Sequence, residues 1–162
     1  MNLFFIFMRK IICVSGTPGT GKTTLTKRLA DKYDLKVIDV NKLIDKYGLE
    51  EEYDQKRDCK VIDIQKLNLV LIDKIREYKS YKSTKFNGLI IDSHLSHYLP
   101  PHMIDICIIT KCSLNELKKR LELRGYSDKK IKENLEAETF DTCRIEALEK
   151  GHKVKVVNTD KK

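Results

Sequence analysis

The chain has 162 residues, enough for one compact core that buries about two thirds of the unfolded surface without disulfide or metal staples. Hydrophobic residues at 41% and charged residues at 35% exclude a disordered chain, and no run reaches the roughly 20 apolar residues of a membrane-spanning helix. The net charge of +8 admits an anionic partner, nucleotide or nucleic acid, but the lysines are spread along the chain and read first as a solvated basic surface.

Met1 to Met8 is apolar, yet it lacks a leading positive region and a small-residue cleavage site, so export is not expected. Two readings stay open there: an extension upstream of a start at Met8, or an edge segment packed on the fold. Apolar runs suited to buried parallel strands follow at Lys10 to Ser15, Lys36 to Asp39, Asn87 to Asp92, Asp105 to Thr110 and Lys153 to Val157. Helical spacing lies between them, at Thr23 to Tyr33, Ile64 to Tyr78 and Ser113 to Arg124. This alternation predicts an α/β fold, a mostly parallel five-stranded sheet with helices on both faces, whose ligands bind beyond the carboxyl ends of the strands. Two polar insertions, Asn41 to Lys60 and Gly125 to Lys150, are not needed to build the sheet and are expected to be helical, mobile covers. Lys79 to Lys85 reads as an exposed loop. Cys13, Cys59, Cys107, Cys112 and Cys143 are odd in number and hold no C-x-x-C pair, so they read as reduced residues of a cytoplasmic protein, with Cys13 and Cys107 buried in strands.

Gly16-Thr17-Pro18-Gly19-Thr20-Gly21-Lys22-Thr23 satisfies G-x-x-x-x-G-K-[ST] between a strand and a helix, the context in which that pattern binds phosphate. The glycines let successive backbone N–H groups turn inward, and the helix adds its positive amino-terminal end. Lys22 is expected to meet the β- and γ-phosphates of ATP, Thr23 to ligate Mg²⁺, and Thr24 to touch the α-phosphate, with Gly16, Gly19, Thr20 and Gly21 forming the cradle. Asp92 closes the run Gly88 to Ile91 and reads as a second Mg²⁺ anchor, partly through water, the alternative being a strand-end cap. His94 lies on the same side of an extended chain as Asp92 and is a candidate for orienting the attacking group or a water; His97 and His102 read equally as packed or exposed. Arg120 and Arg124 share a helix face at the edge of the second insertion, a clamp for migrating phosphate charge or, failing that, solvated arginines. Ser127 reads as a helix cap, the charges from Lys132 to Lys150 mostly as a solvated face, and Arg144 as a residue with no required role.

With these residues in place, the chain resembles the adenylate kinase isoenzyme 6 family over roughly residues 9 to 158. The similarity is carried by Gly16 to Thr24, Tyr53-Asp54 with Asp58-Cys59 and Asp63, Asp92-Ser93-His94, Arg120 to Ser127, and Glu133-Asn134-Leu135 with Glu138. The resemblance implies a P-loop NTPase fold in three layers, a region binding a nucleoside monophosphate at about 39–62 and a lid at about 123–133. It supports Gly19, Gly21, Lys22, Thr23, Thr24 and Arg124 as ATP contacts and strengthens Asp92 and His94 as a D-x-H element. Family members commonly continue past the last strand into a closing helix, so the ending Asn158 to Lys162 predicts an incomplete final layer. The lid lacks zinc-binding cysteines, so no structural metal is expected there.

Three activities follow from these features. The first is transfer of the γ-phosphoryl of MgATP to AMP or another monophosphate, with ATP hydrolysis beside it. The second is an ATPase assembly factor for the small ribosomal subunit, binding a ribosomal protein or rRNA, which the resemblance implies and the basic surface allows. The third, a small-molecule kinase of shikimate- or gluconate-kinase type, is disfavoured by Asp92-Ser93-His94 and Arg124-Gly125-Tyr126. No membrane partner is expected.

Overall fold

The computed structural model describes residues 9–55, 59–81 and 85–160. The expectations for residues 1–8, for Asp58 and for the middle of the Lys79 to Lys85 connection fall outside them. Five strands, β1 (Lys10–Ser15), β2 (Leu35–Asp39), β5 (Gly88–Asp92), β6 (Ile106–Lys111) and β7 (Val154–Asn158), pair throughout in parallel in the order β2-β5-β1-β6-β7. β1 is central because it is apolar on both sides: alternation sends Ile11 and Cys13 to one face and Ile12 and Val14 to the other, all fully buried.

On the first face, Leu89, Ile91, Cys107 and Ile109 pack with Leu67, Leu71 and Ile75 of α3 (Ile64–Ser80), joined by Val40 and Ile44 of α2 (Val40–Tyr47) and Ala147 of α6 (Thr142–Glu149). On the second, Ile90 and Ile108 meet Leu25, Leu29 and Tyr33 of α1 (Lys22–Tyr33). The periodicity of α3 explains its placement, since Leu67, Leu71, Ile75 and Tyr78 lie three to four residues apart on one buried face. Asp63 starts that helix by accepting from Lys66 N at 3.0 Å. A third cluster joins Leu117 and Leu121 of α4 (Leu114–Leu123) to Ile131 and Leu135 of α5 (Asp128–Thr139), with Cys112 and Tyr126. No helix among the described residues is long and apolar enough to cross a membrane.

The two insertions depart from expectation in different ways. Residues 41–60 are helical only at the start: Gly48 takes a left-handed C-cap, φ 59°, its N–H bonding Ile44 O, and ends α2. Beyond it β3 (Glu50–Asp54) and β4 (Cys59–Ile62) form an antiparallel hairpin, although Glu50-Glu51-Glu52 has poor strand propensity. Burial of Leu49 and its carbonyl's bond from Asp63 N at 3.3 Å fix the path of the chain there, so tertiary anchoring overrides local preference. Residues 125–150 do form two helices, broken at Asp141, where φ is 56°. Their acidic residues are not all solvated, however: Glu138 is buried and Glu146 is bonded to His97.

Leu71→Ala should cost about 2–5 kcal/mol by opening a cavity under the central strands, read as a lower urea midpoint with an unchanged slope.

Candidate active site

At the end of β1 the chain turns sharply into the phosphate-binding loop. Gly16 has φ 137°, and a Cβ there would lie 2.5 Å from Thr110 O; at Gly19, φ 93°, a Cβ would lie 2.8 Å from Leu117 Cδ1. Side chains are excluded at both places by conformation and by space, which is why the loop hugs β6 and α4. Thr20 holds the turn closed through N–H to Thr17 O at 3.2 Å and Oγ1 to Thr17 O at 2.7 Å, with Thr110 Oγ1 at 2.7 Å from the same hydroxyl. α1 then starts at Gly21 with no side-chain cap and no acidic residue in its first turn, leaving its positive end facing the loop.

Lys22 Nζ donates to Gly16 O at 2.7 Å and Thr17 O at 3.0 Å, so its ammonium sits across the mouth of the loop. Burial lowers this lysine to about 8 despite the opposing pull of neighbouring acids. Thr23 and Thr24 are exposed at the helix start. Asp92 faces the start of α1, and its carboxyl is pushed up by burial against the downward effects of nearby Thr23 and Lys22. Asp39, the register partner of Asp92 on β2, adds a second carboxylate beside it. Asp39 also ends an apolar run, the same signal that marked Asp92, and sequence reasoning assigned it no chemistry. A hydroxyl with one or two carboxylates is a donor set that suits Mg²⁺ held mainly by phosphate oxygens and water; among the described residues no group of three or more His, Cys, Asp or Glu offers a complete protein cage.

His94 follows Asp92 on a turn and is exposed along a cleft. Desolvation by the cleft walls, then Lys22 and His97, lowers its imidazole to about 4; solvent at its open edge tempers the shift, and on either account the ring is neutral at pH 7. His97, in contrast, is 1% exposed, with Nδ1 2.7 Å from Ser15 Oγ and Nε2 2.8 Å from Glu146 Oε2, a packed strut between the base of the loop and α6. His102 is exposed.

Arg120 is engaged on four sides: Nε with Glu116 Oε1 at 2.8 Å, Nη2 with Thr159 O at 2.8 Å, and Nη1 with Thr159 Oγ1 at 3.1 Å and Gly19 O at 3.4 Å. Thr159 Oγ1 itself donates to Thr20 O at 2.6 Å. Together they brace the outer carbonyls of the loop. Arg124 caps α4 and lines the cavity beside that brace, whereas Arg144 pairs with Asp141, the residue that precedes its helix.

The loop stands between two cavities. One, of about 580 Å³, is lined by Pro18, Asn41, Asp45, Tyr53, His94 and Tyr126. The other, of about 860 Å³, is lined by Gly19, Gly21, Thr24, Arg28, Arg120 and Arg124. The structure therefore places His94 on one side and the arginine pair on the other.

Residues 12–141 match the family model described as an AAA domain. The protein of Methanocaldococcus jannaschii named "Putative adenylate kinase" is 41% identical over 149 residues, 92% of this chain and 78% of its own. The "Adenylate kinase isoenzyme 6 homolog" of Caenorhabditis elegans is 35% identical over 141 residues, 87% of this chain and 74% of its own. The chain belongs to the adenylate kinase isoenzyme 6 family. Among solved structures, shikimate kinase from Bacteroides thetaiotaomicron aligns at TM-score 0.55 and 14% identity over 92% of this chain and 85% of that one. Deoxyadenosine kinase from M. mycoides aligns at 0.51 and 15% over 91% and 90%. These two share the P-loop kinase fold. Family and fold together make the chain a phosphotransferase.

Lys22 is charged below about 8 and neutral above it. The free-enzyme parameter kcat/KM for ATP should therefore fall about tenfold per pH unit once pH exceeds that value, while kcat, set by the nucleotide-bound lysine, falls later. Steady-state profiles from pH 6 to 10 in both parameters check this.

Proposed function

We propose that the protein transfers the γ-phosphoryl group of MgATP to a nucleoside monophosphate, AMP first, and hydrolyses ATP more slowly. The observation that carries this reading is the loop with one cavity on each side: Pro18 faces the first, Gly19, Gly21 and Thr24 the second. Two nucleotides bound end to end would meet at Lys22.

In this reading ATP takes the cavity of Arg28, Arg120 and Arg124, with its phosphates on the N–H groups of Gly16 to Thr24. The acceptor takes the cavity of Asn41, Asp45 and Tyr53, so that residues 39–62 form the monophosphate-binding region and residues 123–133 the lid. Lys22 moves from its carbonyl partners to the β- and γ-phosphates and follows the charge to the leaving group. Thr23 and Asp92 would hold Mg²⁺, partly through water, and the ion would neutralise developing charge. The acceptor phosphate is already a competent nucleophile, so no strong protein base is required and alignment supplies most of the catalysis. Arg120 keeps the loop in shape through Gly19 O, and Arg124 adds positive charge on the donor side. Neutral His94, on the wall of the acceptor cavity, orients a water when no acceptor is bound, which supports a hydrolytic side activity.

A coupled assay with ATP and each of AMP, CMP, GMP and UMP should give ADP formation well above the hydrolysis background, strongest with AMP. Failure of every monophosphate to raise ADP formation would remove the kinase reading. Lys22→Ala should lower turnover by roughly 10²–10³-fold, and Asp92→Ala should abolish the Mg²⁺ dependence of the residual rate; an unchanged Mg²⁺ titration would take Asp92 out of the metal site.

A further inference from the structure

The second insertion carries a lysine where helix physics favours an acid. Ser127 caps α5, its hydroxyl accepting from Lys130 N at 3.3 Å, which makes Lys130 the third residue of the helix. That position favours Glu or Gln, which reach back to the cap, and the positive end of a helix disfavours an ammonium. The backbone there is held from the other side as well, since the Asn134 side-chain amide donates to Lys130 O at 2.7 Å. Stability of α5 therefore gives no reason for a cation at this place.

The adjoining cavity gives one. Lys130 is half-buried and lines the cavity of about 580 Å³, with Nζ 4.6 Å from the centre of the Tyr126 ring, which lines it too. Tyr126 packs against Leu117 and Leu121. These are the side chains that a Cβ at Gly19 would meet at 2.8 and 3.0 Å, so the wall carrying Lys130 is continuous with the phosphate loop. Much of the remaining lining comes from the first insertion, with Ile44 and Asp45 of α2 and Tyr53 of the hairpin. Among the described residues lining the cavity, Lys130 is the one lysine or arginine and Asp45 the one carboxylate.

We propose that Lys130 binds the phosphate of the acceptor nucleotide, and that Tyr126 holds its ammonium beside the loop until that phosphate arrives. This rests on the reading of the cavity as the acceptor site. A phosphate dianion is drawn to the cation on the loop side and repelled by Asp45 on α2, so the two charges orient the nucleotide, phosphate towards the loop and base towards the first insertion. A lysine suits the task because its compact charge sits on a flexible stem and adjusts to the phosphate as it is brought to the loop. Lys130 does not line the donor cavity, so its effect is confined to one substrate.

The test pairs AMP with adenosine, which lacks the phosphate, in calorimetric titrations of the full chain and its variants. Lys130→Met keeps the apolar stem over Tyr126 and removes the charge. It should weaken AMP binding roughly tenfold and leave adenosine binding within about twofold of the parent, whereas Lys130→Arg should restore most of the AMP affinity. Lys130→Glu returns the acid that the helix start favours, so it should bind AMP most weakly while melting no lower than the parent. A lysine kept for stability would reverse that pairing. In the kinase assay, Lys130→Met should raise KM for AMP roughly tenfold, with KM for ATP within about twofold of the parent. Unchanged AMP affinity in a folded Lys130→Met protein, or an equal loss for adenosine, overturns the inference, even where the parent phosphorylates AMP. Selective loss of AMP binding in a protein that phosphorylates no monophosphate sustains it while the proposed function fails.

Discussion

Everything at this site depends on the turn at Gly16, where the chain leaves a strand buried on both faces and must reverse into a helix with no clearance. A side-chain carbon at Gly16 would lie 2.5 Å from the Thr110 carbonyl, so the loop is pinned to β6 before any ligand arrives. Other segments complete the grip. Thr20 is bonded to Thr110, Thr17 to Glu138 of α5, and the carbonyls of Thr20 and Gly19 to Thr159 and Arg120. His97 ties Ser15, the last residue of β1, to Glu146 of α6. A loop fixed from so many directions has its N–H groups arranged in advance for phosphate, which is the condition under which such donors act without reorganisation.

The electrostatics follow from that geometry. A concave loop crowds Lys22, and its burial there lowers it to about 8 against the opposing pull of nearby acids. Asp39 and Asp92 end neighbouring sheet strands, whereas Glu138 belongs to a helix of the second insertion. The sheet acids suit a metal position, and the acid of the insertion is bonded to the loop through Thr17. His94, made neutral by the same crowding, fits orientation of a water better than proton abstraction from it.

Pattern and motif made much of this legible. The five strands could be located to within about one residue, because apolar runs flanked by charged residues have few alternatives in a sheet covered on both faces. The placement of Lys22, Thr23 and Asp92 at one rim of the sheet follows from position alone, since a strand that ends in a glycine-rich turn or a carboxylate delivers those groups to the same edge. The hairpin at 50–62 was not legible: its acidic strand reads as helix or loop, and only the anchoring of Leu49 and Asp63 draws it into pairs. Glu138 carried one faint signal, a heptad spacing from Ile131, which periodicity flags as inward-facing but which charge argues against.

The sequence by itself determined the sheet, the phosphate loop and the acidic strand end beside it, because each is encoded in short segments with few backbone alternatives. Only the tertiary structure decided how the charges are divided. It directed Arg120 to bracing the loop, buried His97 as a strut, and brought Glu138 to Thr17 across 121 positions of chain. Such contacts depend on how helices pack against a loop far away in sequence, and no local pattern of residues records that distance.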